Sequence, residues 1–367
     1  MASRVDVARR AGVSPAVVSY VTNGSHPVGA ATRARVLAAI EELGYRPNAI
    51  ARSLATNRSH TMGLLLPDSS NPYFAELSSA IEDAAFAVGY TVLLGNGGGE
   101  PERELTYVRT FLDRKVDGVI VCPDDDSSHA YEELIRARIP VVVTDRLNQD
   151  VALPAVAVDH AGGARTATEH LIGHGRRVFA CISGSSGTSP AQARAAGWAD
   201  ALADAGIPAD RDRLAFVDFT AEAGWAATRA LLERTPDIDA LFAASDMQAV
   251  GALRALADTG RRVGEDVSVV GFDGIRLSDY ISPRLTTMAQ PFDAISTAVV
   301  QRLLEGIEEP RKADAGISIL PTELVIRESC GCLPVGAGAG RATYQTHSTP
   351  AVPFAHQEIP STHQGAK

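Results

Sequence analysis

The sequence has 367 residues, which exceeds one typical domain and predicts two or three. With 45% hydrophobic and 21% charged residues it is typical of a globular chain, and it contains no apolar run of about 18 residues that would cross a membrane. Its first residues lack the apolar core of a signal peptide, and four scattered cysteines argue against a secreted disulfide framework, so we expect a cytoplasmic protein.

Charge is distributed unevenly along the chain. Residues 1–60 contain eight arginines against three acidic residues, which gives this segment a net charge of +5. The whole chain carries −10, so residues 61–367 carry −15. A small basic segment on an acidic body favours a protein whose one end meets nucleic-acid phosphates, although many solvated termini are basic as well.

Two short helices with capping signals are predicted near the start of the chain. Ser3 caps the first, over residues 4–10, and Gly12 ends it. Ser14 caps the second, in which Pro15 occupies the first position, where a missing backbone N–H costs nothing. A helix, a tight turn and a second helix form the pattern of a helix-turn-helix, whose second helix enters the major groove of DNA.

The second helix has an apolar face and an exposed face. The side chains expected to pack on the other helices are Val13, Val17, Val18 and Val21. The exposed face presents Pro15, Ala16, Ser19 and Tyr20. From composition alone, an ordinary three-helix cap without a ligand explains this segment about equally well.

A third helix and a short connecting segment complete the first sixty residues. The helix is predicted from about Ala30 to Leu43, with an apolar face of Val36, Leu37, Ile40 and Leu43. Residues 49–56 form a possible further helix with Asn48 as its cap. Such a segment is too short to be a stable helix in isolation.

From Thr61 onward, apolar runs alternate with amphipathic helices, of which 73–88 is the clearest, with an apolar stripe of Phe74, Leu77, Ile81, Ala84 and Val88. The runs lie at 62–66, 91–95, 118–122, 140–144, 155–158, 178–182, 214–217, 240–244 and 267–272. This alternation predicts an α/β fold with parallel sheets, and nine strands exceed a comfortable single sheet. We therefore expect two Rossmann-like lobes that hold ligands near the carboxyl ends of their strands.

Residues 333–367, rich in Gly, Pro, Thr and His, are predicted to be a disordered tail.

Several motifs carry a resemblance to a known family. They include Val5-Asp6-Val7-Ala8, Ala11-Gly12-Val13-Ser14, Leu43-Gly44-Tyr45, Ala51-Arg52-Ser53-Leu54, Asn71-Pro72-Tyr73-Phe74, Arg194-Ala195-Ala196-Gly197-Trp198 and Val269-Val270-Gly271-Phe272-Asp273. On these the chain resembles the lactose-repressor (LacI/GalR) family of bacterial transcriptional regulators over some nine-tenths of its length. The resemblance implies a helix-turn-helix head (1–47), a hinge (48–60), and a two-lobed, periplasmic-binding-protein-like domain (61–332) for effector binding and dimerisation. The implied protein is a homodimeric repressor of a pseudo-palindromic operator.

The resemblance also implies the DNA contacts. Pro15 and Ala16 would lie at base edges, where they read only shape and thymine methyl groups, and Tyr20 one turn later offers one hydrogen bond. The residues expected at phosphates are Ser14, Ser19, Asn23 and Thr32. In the hinge, the expected DNA contacts are Ala51, Leu54 and Ala55. Leu54 would wedge into a central base step from the minor groove and kink the duplex, the alternative being a linker leucine packed on the body.

Polar and aromatic residues that suit a small molecule gather at the predicted strand ends. The strand-end residues are Asp145, Phe219, Asp246 and Asp273, while Arg194 opens a helix. The resemblance implies effector contacts at Tyr73, Phe74, Arg194, Phe219, Asp246 and Asp273, and we expect Asp145 to join them. Carboxylates, an arginine and aromatic rings together suit a sugar or sugar derivative, and a purine remains possible because rings also stack on bases. The alternatives are helix caps for Asp246 and Asp273, a core role for Phe74, and a surface ion pair for Asp145 with Arg146.

Some motifs in the sequence are typical of enzymes, but each lacks further residues that a catalytic, metal or phosphate site would need. His170 and His174 have helical i, i+4 spacing without the glutamate of a metalloprotease motif, and Cys330-Gly331-Cys332 has no further ligands nearby in sequence. The glycine-rich stretch 95–99 lacks the lysine of a phosphate loop. We therefore expect no catalytic site, no metal and no cofactor. The rival hypotheses are a solute-binding protein of a sugar importer, which shares the two lobes, and a nucleotide- or sugar-phosphate-processing enzyme.

Overall fold

The computed structural model describes residues 2–23, 26–45, 58–124, 130–146, 153–309 and 316–332. The hinge residues Ala51, Leu54 and Ala55 and the tail over residues 333–367 lie outside these ranges. What the sequence predicts for them therefore stays a prediction.

Three helices form the head: α1 (Arg4–Ala11), α2 (Pro15–Asn23) and α3 (Ala30–Glu42). The cap predicted at Ser3 is confirmed, because the Ser3 hydroxyl accepts from the Asp6 amide and the Asp6 carboxylate accepts from the Ser3 amide at 2.9 Å. Gly12 ends α1 with a φ of 65°, a left-handed conformation that glycine adopts without strain. The turn between α1 and α2 therefore forms as the sequence predicts.

The head has its own apolar core, which consists of Val7, Ala8, Ala11, Val18, Val21, Val36 and Ala39. Two residues that were predicted for this core do not belong to it. Val17 is only partly buried, and Leu37 is 47% exposed. Successive residues of a helix point about 100° apart, so a helix that buries Val36 and Ala39 turns Leu37 outward.

Twelve strands lie in the described part of the body: β1 (Thr61–Leu66), β2 (Thr91–Asn96), β3 (Gly118–Val121), β4 (Val141–Thr144), β5 (Ala155–Val158), β6 (Phe179–Ser183), β7 (Leu214–Phe216), β8 (Ala240–Ala243), β9 (Ser268–Asp273), β10 (Thr286–Ala289), β11 (Ile317–Leu320) and β12 (Glu323–Val325). They form two six-stranded sheets, ordered β11-β5-β4-β3-β1-β2 and β12-β10-β9-β8-β6-β7. Every neighbouring pair is parallel except β10 with β12. All nine predicted strands are present, and the expectation of two parallel-stranded lobes is confirmed.

Eight α-helices accompany these strands in the described residues: α4 (Pro72–Ala87), α5 (Pro101–Asp113), α6 (Ala130–Arg136), α7 (His160–Gly173), α8 (Ser189–Asp204), α9 (Ala221–Arg234), α10 (Asp246–Asp258) and α11 (Phe292–Glu308). The stripe predicted on α4 buries Phe74, Leu77 and Ile81, but Val88 lies beyond the helix end and is 47% exposed. Among the described residues no helix is long and apolar enough to span a bilayer.

The chain passes between the two lobes three times, after β5, after β10 and after β11. Helix α11 therefore packs on α4 and on strands of the first sheet, although it follows a strand of the second. The strands β10, β11 and β12 were not predicted, because they are three or four residues long and lack a continuous apolar run. The crossing after β11 brings residues 326–332 back to the second lobe. Three short connections between two rigid lobes are the arrangement that permits hinge closure.

Candidate functional site

A cavity of about 590 Å³ lies between the two lobes, at the carboxyl ends of their strands. Its walls include Asn71, Tyr73, Phe74, Asp145 and Arg146 from the first lobe, and Thr188, Arg194, Phe219 and Asp273 from the second. Parallel sheets place ligands at this edge, because the loops that follow the strands converge there. The size and the mixed polar and aromatic walls suit a small organic molecule.

The end of β4 supplies a buried, incompletely paired charge to the cleft. Asp145 and Arg146 are 8% and 7% exposed, so the alternative of a surface ion pair is wrong. The Nε and Nη1 atoms of Arg146 are buried without a hydrogen-bond partner among the described residues. The carboxylates of Asp145 and Asp124 approach Arg146 only to 3.8 and 3.7 Å. Buried donors of this kind are rare unless a ligand or water satisfies them.

Helix α4 directs two aromatic rings at the cleft. The Tyr73 hydroxyl donates to Asp145 Oδ1 at 2.9 Å and lies 3.2 Å from Gln290 Oε1. Burial, with the nearby Asp145 carboxylate, raises the pKa of Tyr73 well above its usual value, so this hydroxyl keeps its proton. Phe74 packs edge-on to Tyr73 at a centroid distance of 5.0 Å, and both rings belong to the core while lining the cavity.

Helix α8 holds Arg194 against aromatic faces of the second lobe. Its guanidinium lies 3.8 Å from the centroid of the Phe272 ring and 5.7 Å from that of Phe219, within cation–π range. Arg194 Nη1 donates to the Ala244 carbonyl and, at 3.3 Å, to Asp273 Oδ1. This arginine is therefore fixed in one orientation, with its charge beside the end of β9.

Asp273 ends β9 in a strained conformation. Its φ is 121°, a region that side-chain-bearing residues rarely adopt and that often marks a functional position. Gln290 Nε2 donates to Asp273 Oδ1 at 2.9 Å. Burial raises the pKa of the Asp273 carboxyl, and the guanidinium of Arg194 opposes that rise. Because Asp273 also lines the cavity, its free oxygen is available to a donor on a ligand.

Asp246 does not face the cleft, and its predicted effector contact is wrong. It is fully buried and accepts four hydrogen bonds within the protein. The donors are the amides of Gly274 and Ile275 at 2.9 Å, Ser278 Oγ at 2.7 Å and Thr287 Oγ1 at 2.5 Å. Burial raises the pKa of Asp246 to about 6, and these four donors oppose the rise. The carboxylate thus fixes the loop after Asp273 to β10.

Several polar residues of the site are not among the predicted contacts, and three of them make specific interactions. Arg146 lines the cavity beside Asp145, and Gln290 joins Tyr73 to Asp273 from the end of an unpredicted strand. Asn71 caps α4 and donates through Nδ2 to the Phe219 carbonyl of the other lobe at 3.3 Å. The Asn-Pro pair at 71–72 is a helix-start signal that would have located Asn71.

The face of α2 that the sequence predicts to be exposed is only partly so. Ala16 is exposed, while Pro15, Ser19 and Tyr20 are partly buried. The Tyr20 ring lies 4.3 Å from the His26 ring, a contact that restricts its rotation. Ser14 is exposed ahead of the helix and Thr32 is partly buried in the first turn of α3; the side chain of Asn23 lies outside the described residues.

Comparisons with known proteins match both parts of the chain. The family "Bacterial regulatory proteins, lacI family" matches residues 5–48, and the family "Periplasmic binding proteins and sugar binding domain of LacI family" matches residues 59–325. Among curated proteins, the ribose operon repressor of Halalkalibacterium halodurans is 40% identical over 325 residues, which cover 88% of this chain and 96% of the relative.

Solved structures of the same architecture were found as well. The lac repressor dimer bound to operator and the anti-inducer ONPF superposes with a TM-score of 0.80 at 31% identity, covering 90% of this chain and 99% of that one. A transcriptional regulator CelR–cellobiose complex superposes with a TM-score of 0.69 at 32% identity, covering 90% and 100%. Both the head and the lobes thus have counterparts in these structures.

His160, behind the cleft, is a buried histidine from which we expect a pH-dependent stability. Its Nδ1 accepts from Arg194 Nε at 3.3 Å, which leaves the proton on Nε2, 3.4 Å from the Asp145 carbonyl. Burial, and then the charge of Arg194, lowers the pKa of His160 to about 4. An unfolded histidine takes up its proton near pH 6.5, so the folded state loses stability as pH falls from about 6.5 to about 4.

We expect His160→Gln to flatten the pH dependence of the free energy of unfolding by up to about 3 kcal/mol across that window. Denaturant titrations of parent and variant at several pH values measure the difference. His60→Asn, at an exposed histidine, is the control and should follow the parent. Superimposable curves for parent and His160→Gln would contradict the neutral, buried state of this ring.

Proposed function

The chain belongs to the LacI family of bacterial regulatory proteins, and we propose that it is a homodimeric repressor whose operator affinity is controlled by a sugar bound between its lobes. As a member of this family it is a DNA-binding transcriptional regulator and not an enzyme. The importer alternative is not favoured, because the head that matches the regulatory family precedes the lobes. Because its partner is operator DNA, we place the protein in the cytoplasm.

The head reads the operator through α2. Pro15 and Ala16 meet base edges by shape and methyl contact, and Tyr20, oriented by His26, contributes one hydrogen bond. Phosphates are held by Ser14, Ser19, Asn23 and Thr32. Leu54, with Ala51 and Ala55 beside it in the hinge, inserts into the centre of the site from the minor groove.

The observation that carries the effector proposal is the pair of unsatisfied Arg146 donors beside Asp145 in the cleft. Two arginines and five aspartates line the cavity, so its lining is acidic overall: Arg146 and Arg194 against Asp68, Asp124, Asp145, Asp218 and Asp273. Such a lining repels a phosphate and favours a neutral ligand rich in hydroxyl groups, which both donate to carboxylates and accept from Arg146.

The aromatic rings of the cleft complete the fit to a sugar. Phe219 and Phe74 line the same cavity and offer faces on which the C–H groups of a sugar ring pack. The solved relative bound to cellobiose supports this class of ligand. A purine would use the rings equally well, but it has few donors for the carboxylates.

Control of operator affinity requires that the ligand prefer one arrangement of the lobes. A sugar that contacts Asp145 and Asp273 at the same time bridges the two sheets. Existing contacts already join the lobes: Asn71 Nδ2 to the Phe219 carbonyl at 3.3 Å, and the Arg276 amide to Glu76 Oε1 at 2.9 Å. The ligand would add to these contacts and stabilise the closed arrangement.

Operator binding should weaken steeply with salt. The head and hinge together carry +5 in residues 1–60, and two copies release counterions from both half-sites. The logarithm of the binding constant should fall with the logarithm of the salt concentration with a slope of about −0.9 per phosphate contacted. Anisotropy titrations of the full chain on a palindromic site selected from random DNA measure the slope. A flat response to salt would contradict the proposed role of the head.

Loss of the Asp273 carboxylate should weaken sugar binding. Asp273→Ala leaves hydroxyl and guanidinium donors unpaired in a closed cleft, at a cost of about 1–3 kcal/mol or more. Calorimetry of parent and variant with the sugar that gives the largest shift in a thermal-shift panel measures this loss of affinity. The control is Asp212→Ala, at an exposed aspartate outside the cleft, which should bind the sugar like the parent. A nucleobase as the sole binder, or full sugar affinity in Asp273→Ala, would refute the sugar assignment.

A further inference from the structure

Two pairs of metal-ligating side chains meet outside the cleft, at the end of α7. His170 and His174 lie one turn apart there, and Cys330 and Cys332 belong to the last described segment, which returns to α7 after β12. One ligand atom from each of the four residues lies within 4.8 Å of all the others. The expectation that the histidine pair and the cysteine pair lack partners is therefore wrong, because the third crossing of the chain brings them together.

The spacing of the four atoms suits a tetrahedral zinc ion. With Zn–N near 2.05 Å and Zn–S near 2.3 Å, the corners of such a site lie about 3.3–3.8 Å apart. Cys332 Sγ lies 3.3 Å from His174 Nε2 and 3.9 Å from His170 Nε2. No two of the four ligand atoms lie more than 4.8 Å apart, so a small inward movement of the side chains closes the set around one ion. Two thiolates with two imidazoles select zinc over calcium or magnesium.

The backbone of the cysteine segment is fixed by specific contacts. Gly331 has a φ of 90°, and a Cβ at this position would lie 2.3 Å from the Gly264 carbonyl oxygen. The Cys330 carbonyl accepts from Ser268 Oγ at 2.7 Å, and Arg176 Nε donates to that hydroxyl at 3.0 Å. Only glycine fits between the two cysteines, so the turn that brings both thiols to the histidines depends on it.

We propose that His170, His174, Cys330 and Cys332 form a structural zinc site that fastens the end of the body to α7. Binding replaces the two thiol protons, which pass to solvent, and forms two Zn–S and two Zn–N bonds without a change of oxidation state. Four protein ligands leave no position open for substrate, so the ion stabilises rather than reacts. Helix α7 packs on β9, β10 and β12, so the ion secures the second lobe.

Cobalt titration of the reduced, chelator-treated full chain tests the site. Co²⁺ should bind with one equivalent per chain and give the visible bands of a tetrahedral ion together with a near-ultraviolet thiolate-to-cobalt band. Zn²⁺ should displace it and raise the melting temperature. Absence of the thiolate band in the reduced protein would overturn the proposal. So would the finding that Cys330 and Cys332 form a disulfide with each other but bind no metal when reduced.

Single substitutions identify the ligands. Cys332→Ser and His174→Asn should each lower the affinity for Co²⁺ by roughly 100-fold or more. Loss of a residue that only hydrogen-bonds to a metal ligand already lowers metal affinity by about 10–100-fold, and loss of the ligand itself should cost at least as much. Asn suits the left-handed φ of 53° at His60, so His60→Asn is the matched control and should bind like the parent. Melting temperatures without metal report whether the variants fold. Unchanged affinity in folded Cys332→Ser or His174→Asn would overturn the assignment.

Discussion

Buried charge between the two lobes is the constraint on which the cleft depends. Arg146 and Arg194 lie with Asp145 and Asp273 where each side chain is less than a tenth exposed. Removing an ionised group from water costs several kcal/mol unless hydrogen bonds replace those to water. Arg194 finds such partners within the second lobe, whereas Arg146 Nε and Nη1 find none among the described residues. These two Arg146 donors are therefore available to acceptors on a ligand or on water in the cleft.

Residues 58–60, the last of the proposed hinge, are held by the first lobe. The Asp117 carboxylate accepts from the amides of Ser59 and His60, each at 2.8 Å, and Arg58 Nη2 donates to the Ile307 carbonyl on α11 at 2.9 Å. Because of these contacts, residues 58–60 move together with the first lobe. In a dimer this attachment would convert lobe closure into a change in hinge spacing, and so into operator affinity.

Sequence patterns predicted the features that neighbouring residues determine by themselves. The nine strands formed as expected, and Asp273 was located because parallel strands end at a shared edge. Asp246 also follows a strand, yet it turns inward because the backbone amides at 274–275 require an acceptor. Contacts between distant segments escaped prediction: β10, β11 and β12 have no long apolar run, and Cys332 meets His174 only through the path of the folded chain.

A reciprocal affinity measurement tests the proposed coupling between the cleft and the operator. Operator affinity of the full chain is measured with and without saturating sugar, and sugar affinity with and without operator. Both affinities should change by the same factor, about 5- to 150-fold, because coupling between two binding sites is reciprocal. Equal operator affinity in the two states, with the sugar bound in the cleft, would contradict it.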